Sequence, residues 1–167
     1  MAATSTRSAE APMAPAPPRN VSLISLLASL EYAVLNLKTP VVIVLGHSRC
    51  GAVAAAVAGG ELPGHLPRLV GKIAPAVAAV RAAKPDTTGD DLVDEVTRCH
   101  VKRVCDAIAA ECPVLTEAFE SGRTRLLGAF YDLAGGGVSF LDPPSGLSER
   151  AQSRRTESHG PTGAAAD

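Results

Sequence analysis

The run at residues 41–58, VVIVLGHSRCGAVAAAVA, constrains the fold of this chain more than any other segment. Residues 41–45 (VVIVL) are continuously apolar and β-branched, bounded by Pro40 and Gly46, a pattern that predicts a central strand buried on both faces. The polar loop Gly46-His47-Ser48-Arg49-Cys50-Gly51 follows, and residues 52–58 (AVAAAVA) are helical by propensity until Gly59-Gly60. Strand, loop and helix in that order form an α/β unit whose loop lies at the carboxyl end of the strand.

The flanking sequence extends this unit in both directions. Residues 21–37 place apolar side chains at 23, 26, 27, 30, 34 and 37, which is helical spacing, and Lys38-Thr39-Pro40 stops the run. A second helix is expected over residues 65–83, with Pro75 as a kink or break. Asp90 and Asp91 suit the start of another helix over residues 92–111, and Pro113 opens a short one ending near Gly122. Residues 123–133 (RTRLLGAFYDL) read as a strand, AGGG as a turn and residues 138–141 (VSFL) as the hairpin partner. The expected fold is therefore α/β: a mainly parallel sheet flanked by helices, with a C-terminal antiparallel hairpin. Residues 1–20 and 142–167 are rich in Pro, Ala, Ser and Thr without hydrophobic periodicity. Both are expected to be disordered tails around one domain at residues 21–141.

Composition narrows what such a domain does. Sixteen Lys and Arg against seventeen Asp and Glu provide no field for a nucleic-acid backbone or an anionic membrane surface. With 3% aromatic residues and no Trp, base-stacking platforms are excluded too. The longest apolar stretch is interrupted by Ser22, Ser25, Ser29, Glu31 and Asn36, so no membrane span is expected. The first twenty residues lack the pattern of an export signal, so the four Cys are expected to be reduced thiols in a cytoplasmic protein.

The loop at residues 46–51 is where chemistry concentrates. His47 and Cys50 form H-x-x-C, and imidazole and thiolate are preferred zinc ligands that this spacing lets share one ion. The same residues also suit a hydrogen-bonded loop histidine and a small buried cysteine at a helix start. A nucleotide P-loop is excluded because Ala52 and Val53 stand where Lys and Ser or Thr are required. A cysteine phosphatase is excluded because the residues just after Cys50, GAVAAAVA, hold no Arg to clamp a phosphate. Cys99, Cys105 and Cys112 fall on a later helical stretch, where packing explains them. His65 and His100 read as helix-surface or capping residues, His159 as part of the tail, and Asp90, Asp91, Asp94 and Glu95 as a helix start.

These residues resemble the β-class carbonic anhydrases. ASLEYAV at residues 28–34 is similar to the helix before that family's second zinc-binding strand, and VVIVLGHSRCGAV at residues 41–53 to the strand and loop that supply its His and second Cys. Gly64-His65-Leu66, Ile73-Ala74-Pro75-Ala76-Val77, Tyr131-Asp132-Leu133 and the glycine-rich hairpin follow in the family's order, so the resemblance covers about residues 28–141.

The resemblance implies reversible hydration of carbon dioxide to bicarbonate at Zn2+, with His47 and Cys50 as two of three protein ligands, in a homodimer or higher oligomer. The family's third ligand is a Cys in a C-x-D-x-R segment on an earlier strand, whose Asp-Arg dyad also opens the fourth zinc position. No C-x-D-x-R occurs in this sequence. A three-ligand site keeps one open position, at which the pKa of water falls to about 7; two ligands hold the metal less tightly. Impaired activity at a weak or incomplete zinc site is the expectation. The alternatives are a non-catalytic carbonic-anhydrase-like subunit or interaction module, and an incomplete version of an active enzyme.

Overall fold

The computed structural model describes residues 21–142, and both sequence-predicted tails lie outside them except for Asp142. The elements run α1 (Val21–Leu35), β1 (Val41–His47), α2 (Gly51–Ala58), α3 (Leu66–Ala83), α4 (Gly89–Glu111), α5 (Pro113–Glu120), β2 (Arg125–Tyr131) and β3 (Val138–Phe140). Each matches an expected element to within a few residues. Pro75 does not break α3, which continues through it to Ala83.

The three strands lie in the order β1-β2-β3. β1 and β2 run parallel in a register from Val41 opposite Arg125 to His47 opposite Tyr131. β2 and β3 pair antiparallel from Ala129 opposite Phe140 to Tyr131 opposite Val138. The parallel ladder is the longer one, and the hairpin is the expected C-terminal antiparallel pair.

Alternation along the strands divides the sheet into two unlike faces. One carries Val42, Gly46, Leu126, Gly128 and Phe130, all buried. Helix α4 lies across it so closely that a Cβ on Gly46 would sit 2.7 Å from both Thr97 Cγ2 and Val101 Cγ2. Only glycine fits at that crossing. On this side Val42 and Leu126 share a core cluster with Val34 of α1, Val101, Cys105 and Ile108 of α4, and Leu115, Ala118 and Phe119 of α5. A second cluster joins Val53 of α2, Ile73, Ala76, Val77 and Val80 of α3, and Leu92, Val93 and Val96 of α4.

The opposite face carries Val41, Ile43 and Leu45 with Leu127, Ala129 and Tyr131, and none of these belongs to either cluster. Ile43 and Leu45 are 50% and 57% exposed while Ala129 beside them is fully buried, so the expectation of a central strand buried on both faces is corrected: among the described residues β1 is an edge strand with one face largely open. The physical reason is layering, since among the described residues the core-forming helices gather on one side of the sheet. A continuously apolar sequence reports that a strand suits two dry faces, without revealing what covers each.

Candidate metal centre

The H-x-x-C loop is held in place by main-chain and side-chain ties to α4 and to the end of β2. The last pair of the parallel ladder joins His47 to Tyr131, and the Ser48 N–H then donates to the Tyr131 carbonyl at 2.9 Å. Ser48 is 5% exposed; its Oγ accepts the Leu133 N–H at 2.9 Å and donates to Asp132 Oδ1 at a longer 3.4 Å. Asp132 in turn accepts the N–H groups of Ala134 and Gly135, each at 3.0 Å. These two N–H groups, more than the hydroxyl of Ser48 or the charge of Arg49, hold its carboxyl below the usual range.

Arg49 has a φ of 54°, a left-handed conformation uncommon outside glycine. Its N–H donates to Asp94 Oδ1 of α4 at 3.1 Å, so an Asp expected only to favour a helix start also fixes the backbone between His47 and Cys50. Cys50 is the N-cap of α2 and makes no side-chain cap bond, although its carbonyl accepts the Ala54 N–H.

His47 Nδ1 lies 2.9 Å from the Ser48 carbonyl. A carbonyl oxygen only accepts, so Nδ1 carries the proton of the neutral ring and Nε2 keeps its lone pair. This is the arrangement that a metal-binding imidazole needs, with the distal nitrogen free and the ring fixed by the other. His47 and Cys50 line one cavity of about 320 Å3, together with the apolar Val44, Val53, Ile73, Val101 and Val104.

His100 lines the same cavity, which corrects its assignment to the helix surface. Its Nδ1 is buried without a hydrogen-bond partner among the described residues. Burial and, secondarily, the Arg103 charge push its pKa below the ordinary 6.5, disfavouring the protonated ring. Thr97 shares the cavity but spends its hydroxyl on the Val93 carbonyl at 2.8 Å. Both residues were detectable in principle from their three-residue spacing on one helix face, but nothing in the sequence shows which face of α4 meets β1.

The other described cysteines, and His65, are elsewhere. Cys105 and Cys112 are buried in the first core cluster, and Cys99 packs against the second. Burial raises the Cys105 thiol to about 11, with a smaller contribution from Asp106. Cys112 donates to Glu31 Oε1 at 2.9 Å, tying α5 to α1. All four cysteines are free thiols, and His65 is exposed at the start of α3.

The donor chemistry suits zinc: a tautomerically fixed imidazole and a thiol on one cavity. The number of donors falls short, because no group of three His, Cys, Asp or Glu able to hold a metal occurs among the described residues.

Comparison with known proteins identifies the frame. The sequence profile described as "Carbonic anhydrase" matches residues 13–138, three quarters of the chain. The chain belongs to the β-class carbonic anhydrase family. It is 34% identical over 129 residues to "Carbonic anhydrase 2" of Mycobacterium tuberculosis, an alignment covering 75% of this chain and 60% of that protein. To "Carbonic anhydrase" of Mycolicibacterium smegmatis it is 33% identical over 120 residues, covering 70% and 56%. The chain therefore spans less than two thirds of the length of these carbonic anhydrases.

Among solved structures, a β-carbonic anhydrase of Aspergillus fumigatus superposes with a TM-score of 0.66 at 25% identity, covering 81% of this chain and 64% of that one. One of two tetrameric β-carbonic anhydrases of Sordaria macrospora gives 0.65 at 24% identity, covering 71% and 60%. The family fold is thus present in truncated form. Within the described residues, no helix is long and apolar enough to cross a membrane.

Proposed function

We propose that this chain is a β-carbonic-anhydrase-like protein whose zinc site is incomplete, so that reversible hydration of carbon dioxide to bicarbonate is impaired. The observation that carries this reading is the His47 ring: its Nδ1 is committed to the Ser48 carbonyl, leaving Nε2 free on the cavity that Cys50 also lines. His47 and Cys50 are the residues that would hold zinc. In such a setting the metal supplies Lewis acidity that activates water toward carbon dioxide. Around it, Ser48 and Asp94 fix the loop backbone, and the apolar wall of Val44, Val53 and Ile73 excludes bulk water. The family's relatives support carbon dioxide and bicarbonate as the substrate pair, and the tetrameric neighbour supports a homo-oligomer. A reducing, cytoplasmic setting belongs to the same reading.

The second reading, a non-catalytic carbonic-anhydrase-like subunit, is favoured by the donor number: two protein ligands do not define the open fourth position of a catalytic site. Metal analysis run beside stopped-flow hydration with a pH indicator separates the two. Weak zinc, stripped by a mild chelator and abolished by His47→Ala or Cys50→Ser, is expected with hydration near background. One tightly held zinc per chain with fast hydration would overturn the impairment.

A further inference from the structure

We propose that the groove between α3, α4 and the end of β3 is a binding site for a small organic carboxylate with a short aliphatic chain, anchored by Arg98. The groove shares no lining residue with the cavity of His47 and Cys50, so the proposal stands apart from the zinc reading.

Glu95, Arg98 and Lys102 recur at spacings of three and four, so α4 presents them along one edge. Ala79 and Ala83 of α3, with Leu141 just past β3, line the groove with apolar surface, and their arrangement leaves a space of about 380 Å3. The two lysines on its rim are neutralised: Lys84 Nζ lies 2.7 Å from Glu95 Oε2, and Lys102 Nζ 2.9 Å from Asp142 Oδ2. Arg98 differs. It is half-buried, yet among the described residues it takes part in no ion pair. Its guanidinium lies over the buried Phe130 ring instead, with Cζ 3.7 Å from the ring centroid, and Nη1 donates to Ser139 Oγ at 3.1 Å. A guanidinium carries five N–H donors in a planar fork, so most of them are uncommitted to described residues.

Charge complementarity selects the ligand class. A guanidinium held against a ring is oriented before an anion arrives, so little rotamer freedom is lost on binding. Its planar fork matches a carboxylate through two parallel hydrogen bonds. Lys102 adds a second cation, because its partner Asp142 has a side chain 89% exposed and such a surface pair holds it weakly. Glu95 on the same rim repels a further negative charge, which favours a monoanion over a polyanion. The apolar lining takes the rest of the molecule, so a chain of several carbons binds better than the bare acid group.

The test titrates the full chain with hexanoate, acetate and hexanamide, read by ligand-observed NMR. Hexanoate is expected to bind with a dissociation constant of about 1 mM or tighter, and acetate and hexanamide at least about tenfold more weakly, since one lacks the chain and the other the charge. Arg98→Gln should weaken hexanoate by at least about tenfold. Ala79→Leu fills the groove while leaving Arg98 in place, and should weaken it by at least about fivefold; Ala79 is exposed, so this variant spares the core, which circular dichroism and the urea midpoint verify for both. His47→Ala should leave hexanoate binding unchanged, which separates this site from the metal loop. The proposal is overturned if hexanoate does not bind, if hexanamide binds as well as hexanoate, if both groove variants bind like the wild type, or if His47→Ala abolishes binding.

Discussion

The two faces of one three-stranded sheet behave as different materials. On the covered face, α4 approaches so closely that Gly46 has no room for a methyl group, and Gly128 only 3.1 Å from its would-be Cβ to Val101 Cγ1. On the open face, side chains as large as Ile43, Leu45 and Phe140 stand half or more exposed. Both faces carry large apolar side chains, with Arg125 and His47 at the two ends of the open one. The stability of the single chain therefore depends on where helices pack, and the same residue type has opposite weight one position along the strand.

The comparison is broken most forcefully from the covered side. Leu115 of α5 is fully buried, and Leu115→Ala is expected to destabilise the chain by about 2–5 kcal/mol, read as a lowered urea midpoint. Gly46→Ala comes next, at about 1–3 kcal/mol, because its methyl group has to push Thr97 and Val101 off the strand. Zinc retention should fall with it, since the displaced backbone bears His47 directly.

A smaller effect sharpens the comparison at the rim of the covered side, where His100 Nδ1 is buried without a partner among the described residues. Its folded pKa lies below the 6.5 of the unfolded imidazole. Between those values the unfolded chain binds the extra proton, so stability is lost as pH falls from the unfolded value through the folded one. His100→Leu should flatten that slope in urea midpoints taken at several pH values, and an unchanged slope would assign it to other groups. The smallest change belongs to the open face: Ile43→Ser should alter monomer stability by no more than about 0.5 kcal/mol, measured by urea denaturation under conditions where the chain is monomeric.

The asymmetry also explains what the sequence revealed. Helix and strand periods, Pro113, and the AGGG turn are local signals, and the corresponding elements form where those signals stand. The H-x-x-C loop was equally legible, because glycines, strand end and helix start are contiguous. What stayed hidden was long-range: that β1 lies at an edge, that Asp94 reaches the backbone of Arg49, and that His100 faces the cavity of His47 and Cys50. Each depends on how α4 crosses the sheet, which no window of adjacent residues encodes. His100 looked like a surface residue because one polar position on an amphipathic helix resembles another.

The ties between the loop and the hairpin have a kinetic consequence. The Ser48 N–H is held by Tyr131 and the Leu133 N–H by Ser48, so neither amide can meet a catalyst of hydrogen exchange until β2 parts from the end of β1. The His47–Cys50 loop and the hairpin turn thus form one cooperative opening unit, although 84 residues separate Ser48 from Asp132 in the chain. In deuterium exchange the two amides should share one protection factor, and Ser48→Ala should release the Leu133 amide far more than the Ser48 amide. The lifetime of a ligand at His47 would then be limited by the same event that frees the carboxyl-terminal strand.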